Sequence, residues 1–149
     1  MKKYLSIIFF ILTSIFIISS CTKDENEPEE ETPVVTDKGS FNWTLSSGQT
    51  ANADSAHCYT SITTIYAFKN GNATSVEVNL SALSVGSYSI SSSTGNSFSF
   101  VSGGTTYEGT GSFNITANSG NKLSGNFNVT LTGGTLTSMS GSFQDILKR

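Results

Sequence analysis

The strongest constraint on the fold is an alternation of apolar and polar residues that recurs from about residue 38 to the end of the chain. This period-two pattern is typical of a strand with one face in a core and the other in solvent. Residues 62–68 form a denser apolar run, which we interpret as a central strand. The alternating apolar residues are Phe41, Trp43 and Leu45; Val76, Val78 and Leu80; Tyr88 and Ile90; Phe98 and Phe100; Phe113, Ile115 and Ala117; and Phe127, Val129 and Leu131.

Turn-forming residues separate these segments, and no stretch shows a helical pattern. The turns are predicted at residues 70–72, 94–96, 103–104, 118–121 and 133–134. The sequence therefore predicts one all-β domain over residues 38–149, with about eight to ten strands in a single antiparallel β-sandwich or partly closed barrel. A Gly-x-Phe triplet recurs at residues 39–41, 111–113, 125–127 and 141–143, which we interpret as a meander whose glycines allow close approach.

The charge of the chain is concentrated in one short segment. Residues 22–37 contain seven acidic residues and one lysine, whereas residues 38–149 contain five basic and four acidic residues. The predicted domain is therefore almost neutral and lacks the basic field that attracts nucleic acid. Residues 22–37 also hold two prolines and few large apolar side chains, so we expect a disordered, solvated tether.

The first 20 residues are typical of a secretory signal peptide. Lys2 and Lys3 precede an apolar run over residues 4–18, and two serines follow it. The alternative, a transmembrane anchor, needs about 20 apolar residues, and this run has 15.

Residues 18–21, Ile-Ser-Ser-Cys, resemble the lipobox at which bacterial lipoproteins are lipidated and cleaved. The resemblance implies that Cys21 receives the lipid and becomes the first residue of the mature protein. Lys23, Asp24 and Glu25 resemble the lipoprotein export signal of Bacteroidota, a lysine followed by acids. That resemblance implies recognition by lipoprotein export machinery and an outer-membrane location facing the cell exterior.

Few residues of the domain suit catalysis, so we expect no enzyme, cofactor or metal site. Acid–base and nucleophilic chemistry need titratable groups held together, and the domain has one histidine, His57, one thiol, Cys58, and four acids. His57 and Cys58 are adjacent, so on a strand they point to opposite faces. No Gly-x-Ser-x-Gly, zinc or calcium motif is present. With Cys21 lipidated, Cys58 has no disulfide partner within the chain.

Aromatic side chains are the remaining resource for recognition. Trp43, Tyr59, Tyr66, Tyr88 and Tyr107 could line a sugar- or peptide-binding face, although a domain of this size needs most of its large side chains in the core. We expect Tyr107, beside Glu108 and after a glycine turn, to be the most exposed of them.

Ser55 is a candidate for modification. Asp54-Ser55-Ala56 matches a short motif for O-glycosylation in exported Bacteroidota proteins.

The order of these features resembles a family of uncharacterised Bacteroidota surface lipoproteins that combine a lipobox, an acidic tether and a small all-β domain of unknown function. The matching parts are the tether, residues 41–43, 86–88, 109–116 and 123–127, and the terminal residues 140–143. The resemblance implies a location and a fold but no chemistry.

Together these observations predict a signal peptide over residues 1–20, a lipidated cysteine and tether over 21–37, and a β domain over 38–149. The expected function is a non-catalytic, lipid-anchored surface module for binding or outer-membrane assembly. The alternatives are an accessory protein for glycan or nutrient capture through exposed aromatics, and a small hydrolase. The expected partners are the outer membrane, the export machinery and a protein or glycan ligand.

Overall fold

The computed structural model of the protein describes residues 39–149. The predicted signal peptide, the lipidated Cys21, the tether and the export signal at Lys23, Asp24 and Glu25 lie outside the described residues. Every regular element within residues 39–149 is a β-strand. No helix in that range is long and apolar enough to cross a membrane.

Ten strands make up the domain, which agrees with the predicted all-β class. They are β1 (Ser40–Leu45), β2 (Thr50–Asn52), β3 (Ser55–Tyr59), β4 (Thr64–Lys69), β5 (Thr74–Asn79), β6 (Gly86–Ile90), β7 (Ser97–Ser102), β8 (Thr105–Ser119), β9 (Lys122–Thr132) and β10 (Ser138–Lys148).

Seven of the strands close into a barrel in the order β3, β4, β5, β7, β8, β9 and β10. The remaining three extend the sheet outside this ring: β1 pairs with β10, β2 pairs with β1, and β6 pairs with β8. Six of the seven pairs in the ring are antiparallel. The exception is the parallel pair that closes the barrel, in which Leu147 and Lys148 of β10 lie beside His57 and Cys58 of β3.

The interior of the barrel is filled by aromatic rings from the Gly-x-Phe triplets. The rings of Phe113 and Phe143 stack with centroids 5.0 Å apart, and Phe127 and Phe41 stack at 5.5 Å in the same cluster. Across β9 and β10, Gly125 lies opposite Phe143, and Gly141 lies opposite Phe127. A β-carbon at Gly141 would lie 2.6 Å from the tip of the Phe127 ring. The glycines therefore allow close approach, as predicted: Gly125 and Gly141 make room for a ring on the next strand, whereas Gly39 and Gly111 lie against backbone atoms.

The core contains the alternating residues that the sequence indicates, except for Ala117 and for Tyr88, which is only half-buried against the core. Ala117 was expected to share a buried face with Phe113 and Ile115, but it is exposed, so that part of the prediction is wrong. The pairing of β8 with β9 shifts register between Ile115 and Ala117, which marks a bulge. An extra residue at a bulge reverses the face to which the following side chains point.

Candidate functional site

His57 and Cys58 point to opposite sides of β3, as predicted, because burial alternates along the strand. Cys58 is fully buried in the barrel as a free cysteine. This burial raises the pKa of the thiol to about 11, although the charge of Lys148 partly opposes the shift. The thiol is therefore neutral at ordinary pH and is a core side chain rather than a nucleophile.

The four acidic residues of the domain are not gathered in one place. Within residues 39–149, no three His, Cys, Asp or Glu side chains are placed to hold a metal ion together. A carboxylate oxygen of Asp54 accepts a hydrogen bond from the backbone N–H of Asn70 at 2.7 Å, which fixes the β4–β5 turn. Glu77 and Glu108 lie in one outward-facing row but on β5 and β8, with Ser99 of β7 between them.

Two of the five candidate aromatic residues belong to the core. Trp43 is 2% exposed and packs against Phe100 at 6.2 Å between ring centroids. Tyr107 was expected to be the most exposed aromatic, but it is only 6% exposed, so that prediction is wrong. Because β8 begins at Thr105, directly after the glycine turn, Tyr107 already lies in the ladder opposite Phe100 and points inward with it.

Tyr59 and Tyr66 instead lie on the outside of the barrel, where they form an apolar surface with Ile62 and Phe68. We call these four residues the outer aromatic surface. The rings of Tyr66 and Phe68 are almost parallel, with 4° between their planes and 5.8 Å between centroids. The ring of Tyr59 stands at 75° to that of Tyr66, also at 5.8 Å. Ile62 is 58% exposed beside them.

A network of polar side chains borders the outer aromatic surface on the β5 side. Glu77 lies directly opposite Tyr66 across β4 and β5. Partial burial and then the Glu77 carboxylate raise the pKa of the Tyr66 phenol, which therefore stays protonated. The side-chain amide of Asn79 donates to the Glu77 carboxylate at 3.0 Å and to the Ser97 hydroxyl at 3.0 Å. Thr64 donates to the Asn79 side-chain oxygen at 2.6 Å. The network fixes the Glu77 carboxylate beside the Tyr66 ring.

The loop that presents Ile62, residues 60–63, is held at both ends. The backbone N–H and the hydroxyl of Thr60 each donate to the carbonyl of Arg149 at 2.9 Å. At the other end the carbonyl of Thr63 accepts from the N–H of Leu80 at 3.1 Å, and the Thr63 hydroxyl donates to the carbonyl of Leu80. Thr63 has a φ of +50°, a strained backbone for a β-branched residue. These contacts hold the strained loop, and with it the backbone of Ile62, in place on the outside of the barrel.

The four side chains of the outer aromatic surface line a shallow, open groove of about 260 Å³. A second cavity of about 240 Å³ lies where β8 changes partner from β7 to β6, between Ser91, Phe98 and Glu108. The second cavity borders the buried ring of Phe98 and serine side chains, with no exposed ring. The groove of the outer aromatic surface is therefore the stronger candidate for a binding site.

Ser55, the predicted glycosylation site, begins β3 and is half-buried on the outer face, directly opposite Phe68 of β4. Tyr88, the fifth candidate aromatic, is half-buried on β6, where its hydroxyl donates to the carbonyl of Ser84 at 2.7 Å.

Ile62 and Phe68 were not among the candidates, because the apolar run over residues 62–68 was interpreted only as a central strand. The strand is central, since β4 pairs with both β3 and β5, but it begins at Thr64, so Ile62 lies in the preceding loop. Ile65 and Ala67 point inward and are buried, whereas Tyr66 and Phe68 point outward and are half-buried.

Comparison of the chain with models of protein families, with curated proteins and with solved structures found no match.

Proposed function

We propose that this protein is a non-catalytic binding module, held at the cell surface by a lipid on Cys21, whose ligand docks on the outer aromatic surface. One observation supports the binding site above all: three aromatic rings and an exposed isoleucine lie on the outside of a barrel whose interior is already filled. Burial of apolar side chains is the main driving force of folding, so apolar groups left together outside a complete core favour recognition of a ligand.

The interior of the barrel supports the same proposal. Phe98, Phe113 and Phe127 pack together at its centre, with the ring of Phe127 5.4 Å from Phe98 and 5.9 Å from Phe113. A ligand inside the barrel would have to displace these rings from a close-packed core, at a large cost in stability. The ligand is therefore expected on the outer face.

The buried neutral thiol of Cys58 supports the non-catalytic part of the proposal. A cysteine nucleophile needs thiolate character and access to substrate, and a buried thiol with a raised pKa has neither. His57 points to the opposite face of β3, where it lies opposite Tyr66 of β4. Its side chain is therefore not directed toward the Cys58 thiol.

Binding can be tested with fractions of the cell envelope and of the growth medium. The full-length protein is incubated separately with peptidoglycan, capsular polysaccharide, membrane vesicles and soluble medium components. We expect at least one fraction to bind the wild-type protein and the control variant Tyr88→Ala. The same fraction should not bind Tyr66→Ala, because of these two tyrosines only Tyr66 belongs to the outer aromatic surface. Retention of no fraction, or equal retention of Tyr66→Ala, would contradict the proposed function.

The location can be tested by protease treatment of intact cells. Cys21→Ala should release or mislocalise the protein, because the variant lacks the residue that would carry the acyl chains, and stable anchoring needs more than one chain. Replacing Lys23, Asp24 and Glu25 with alanine should leave the protein lipidated but facing the periplasm, protected from external protease. Digestion of that triple variant as fast as wild type would show that the acidic residues act only as a spacer.

A further inference from the structure

We infer that the outer aromatic surface binds an uncharged, hydroxyl-rich sugar ring of a longer glycan chain. This inference rests on the proposed function, because it names the ligand class of the same surface. It depends on three features of that surface: ring faces set at two angles, hydrogen-bond acceptors fixed beside them, and a groove of limited size.

The aromatic rings offer the kind of contact that a sugar ring can use. The face of an aromatic ring is electron-rich and attracts the weakly positive C–H groups that line one face of a pyranose. The rings of Tyr66 and Phe68 stack on each other, whereas the ring of Tyr59 stands at 75° to that of Tyr66. Rings at two angles can contact a sugar from beneath and from one side, while its hydroxyl groups remain free at the edge.

The polar border of the groove matches those hydroxyl groups. A carboxylate has about four acceptor positions, and the Asn79 amide donates to one of those on Glu77. The remaining positions can accept from neighbouring hydroxyl groups of a sugar. Because Thr64 and Ser97 hold the Asn79 side chain, and Asn79 in turn donates to Glu77, little conformational freedom is lost when a ligand binds.

The size and charge of the site favour this ligand over others. The groove, at about 260 Å³, is smaller than the ~300–1,000 Å³ typical of sites for drug-sized ligands, so it fits one ring of a longer chain. A protein partner or a second copy needs about 20–30 residues on each side, whereas this apolar surface has four. An anionic polymer would meet the Glu77 carboxylate, which repels it.

The test measures binding of the full-length protein to immobilised neutral gluco-, manno- and galacto-oligosaccharides. Oligogalacturonate and a lysine-rich peptide serve as charged probes. We expect neutral oligosaccharides to bind, with little change when salt is raised, because no ion pair is involved. Tyr66→Ala and Glu77→Gln should each weaken binding at least about tenfold. Glu108→Gln, in the same outward row but away from the groove, is the matched control and should bind like wild type. Emission of the buried Trp43 verifies that each variant is folded.

The outcomes separate this inference from the proposed function. If only a charged probe binds and Tyr66→Ala abolishes that binding, the glycan inference fails while the binding surface stands. If neutral oligosaccharides bind equally well to Tyr66→Ala and Glu77→Gln, the surface assignment fails as well. If no neutral oligosaccharide binds, the glycan inference is overturned, and the envelope-fraction experiment decides the proposed function independently.

Discussion

The face of a strand to which a cysteine points determines whether it can react, and Cys58 points inward. Its side chain has 0% exposure, and its neighbours along β3, His57 and Tyr59, point outward. A buried thiol resists ionisation because the thiolate loses its hydration without gaining a full substitute. Cys58 therefore contributes as a small apolar side chain, and its ionisation must disturb the fold.

Stability at high pH should report this coupling. The pKa of Cys58 is raised from 9.0 to about 11 in the folded protein, so between these values the unfolded chain loses a proton that the folded chain retains. The contribution of the protonated Cys58 thiol to stability is therefore complete below pH 9, and it is lost progressively as the pH rises toward 11. At the upper value the loss from this group is about 2 kcal/mol in the free energy of unfolding.

Urea unfolding across this pH range measures the effect, with Cys58→Ala as the control for other groups that titrate there. Wild type should lose about 2 kcal/mol more than Cys58→Ala as the pH rises. Identical pH dependence of the two proteins would show that the thiol is not buried as described.

At the scale of elements, β8, β9 and β10 form the meander on which the barrel is built, and glycine–ring pairs set their spacing. Gly125 and Gly141 are buried or half-buried inside strands, where glycine ordinarily weakens a sheet. Here each lies opposite a phenyl ring that occupies the space a side chain would need. The close approach of the strands therefore depends on these glycines.

Gly141→Ala should strongly destabilise the domain. The added β-carbon would lie 2.1 Å from the backbone oxygen of Asn42 and 2.6 Å from the Phe127 ring, and the backbone atom cannot move without displacing β1. We expect a loss of about 3 kcal/mol, at the upper end for overpacking. Ser140→Ala, at the exposed neighbouring position, should change stability by less than about 0.5 kcal/mol. Equal urea midpoints for the two variants would contradict the packing account.

Local pattern predicted the strands better than it predicted which side chains stay outside. Where one face is polar, as along Phe41, Trp43 and Leu45, alternation alone identifies the buried face. Along β4 both faces are apolar, so nothing local distinguishes Ile65 and Ala67, which point inward, from Tyr66 and Phe68, which point outward. The bulge after Ile115 also left no signal, because it depends on the partner strand.

At the scale of the whole molecule, the last strand of the barrel also anchors the loop of the proposed binding site. The last strand, β10, pairs in parallel with β3, and the backbone of Arg149 hydrogen-bonds to both Cys58 and Thr60. A contact across some 90 residues of sequence cannot be found from periodicity, which reports only on neighbours within a strand. The chain segment that closes the barrel therefore also anchors the loop that carries Ile62.

The most direct test of the account is hydroxyl-radical footprinting of the full-length protein, read by mass spectrometry for each aromatic residue. Tyr59, Tyr66 and Phe68 lie on the outside of the barrel, whereas Trp43 and Tyr107 are buried inside it. The three outer rings should be oxidised readily, and the two buried ones should be protected until the protein is unfolded in urea. Protection of Tyr66 and Phe68 in the folded protein, or rapid oxidation of Trp43 and Tyr107, would contradict the account.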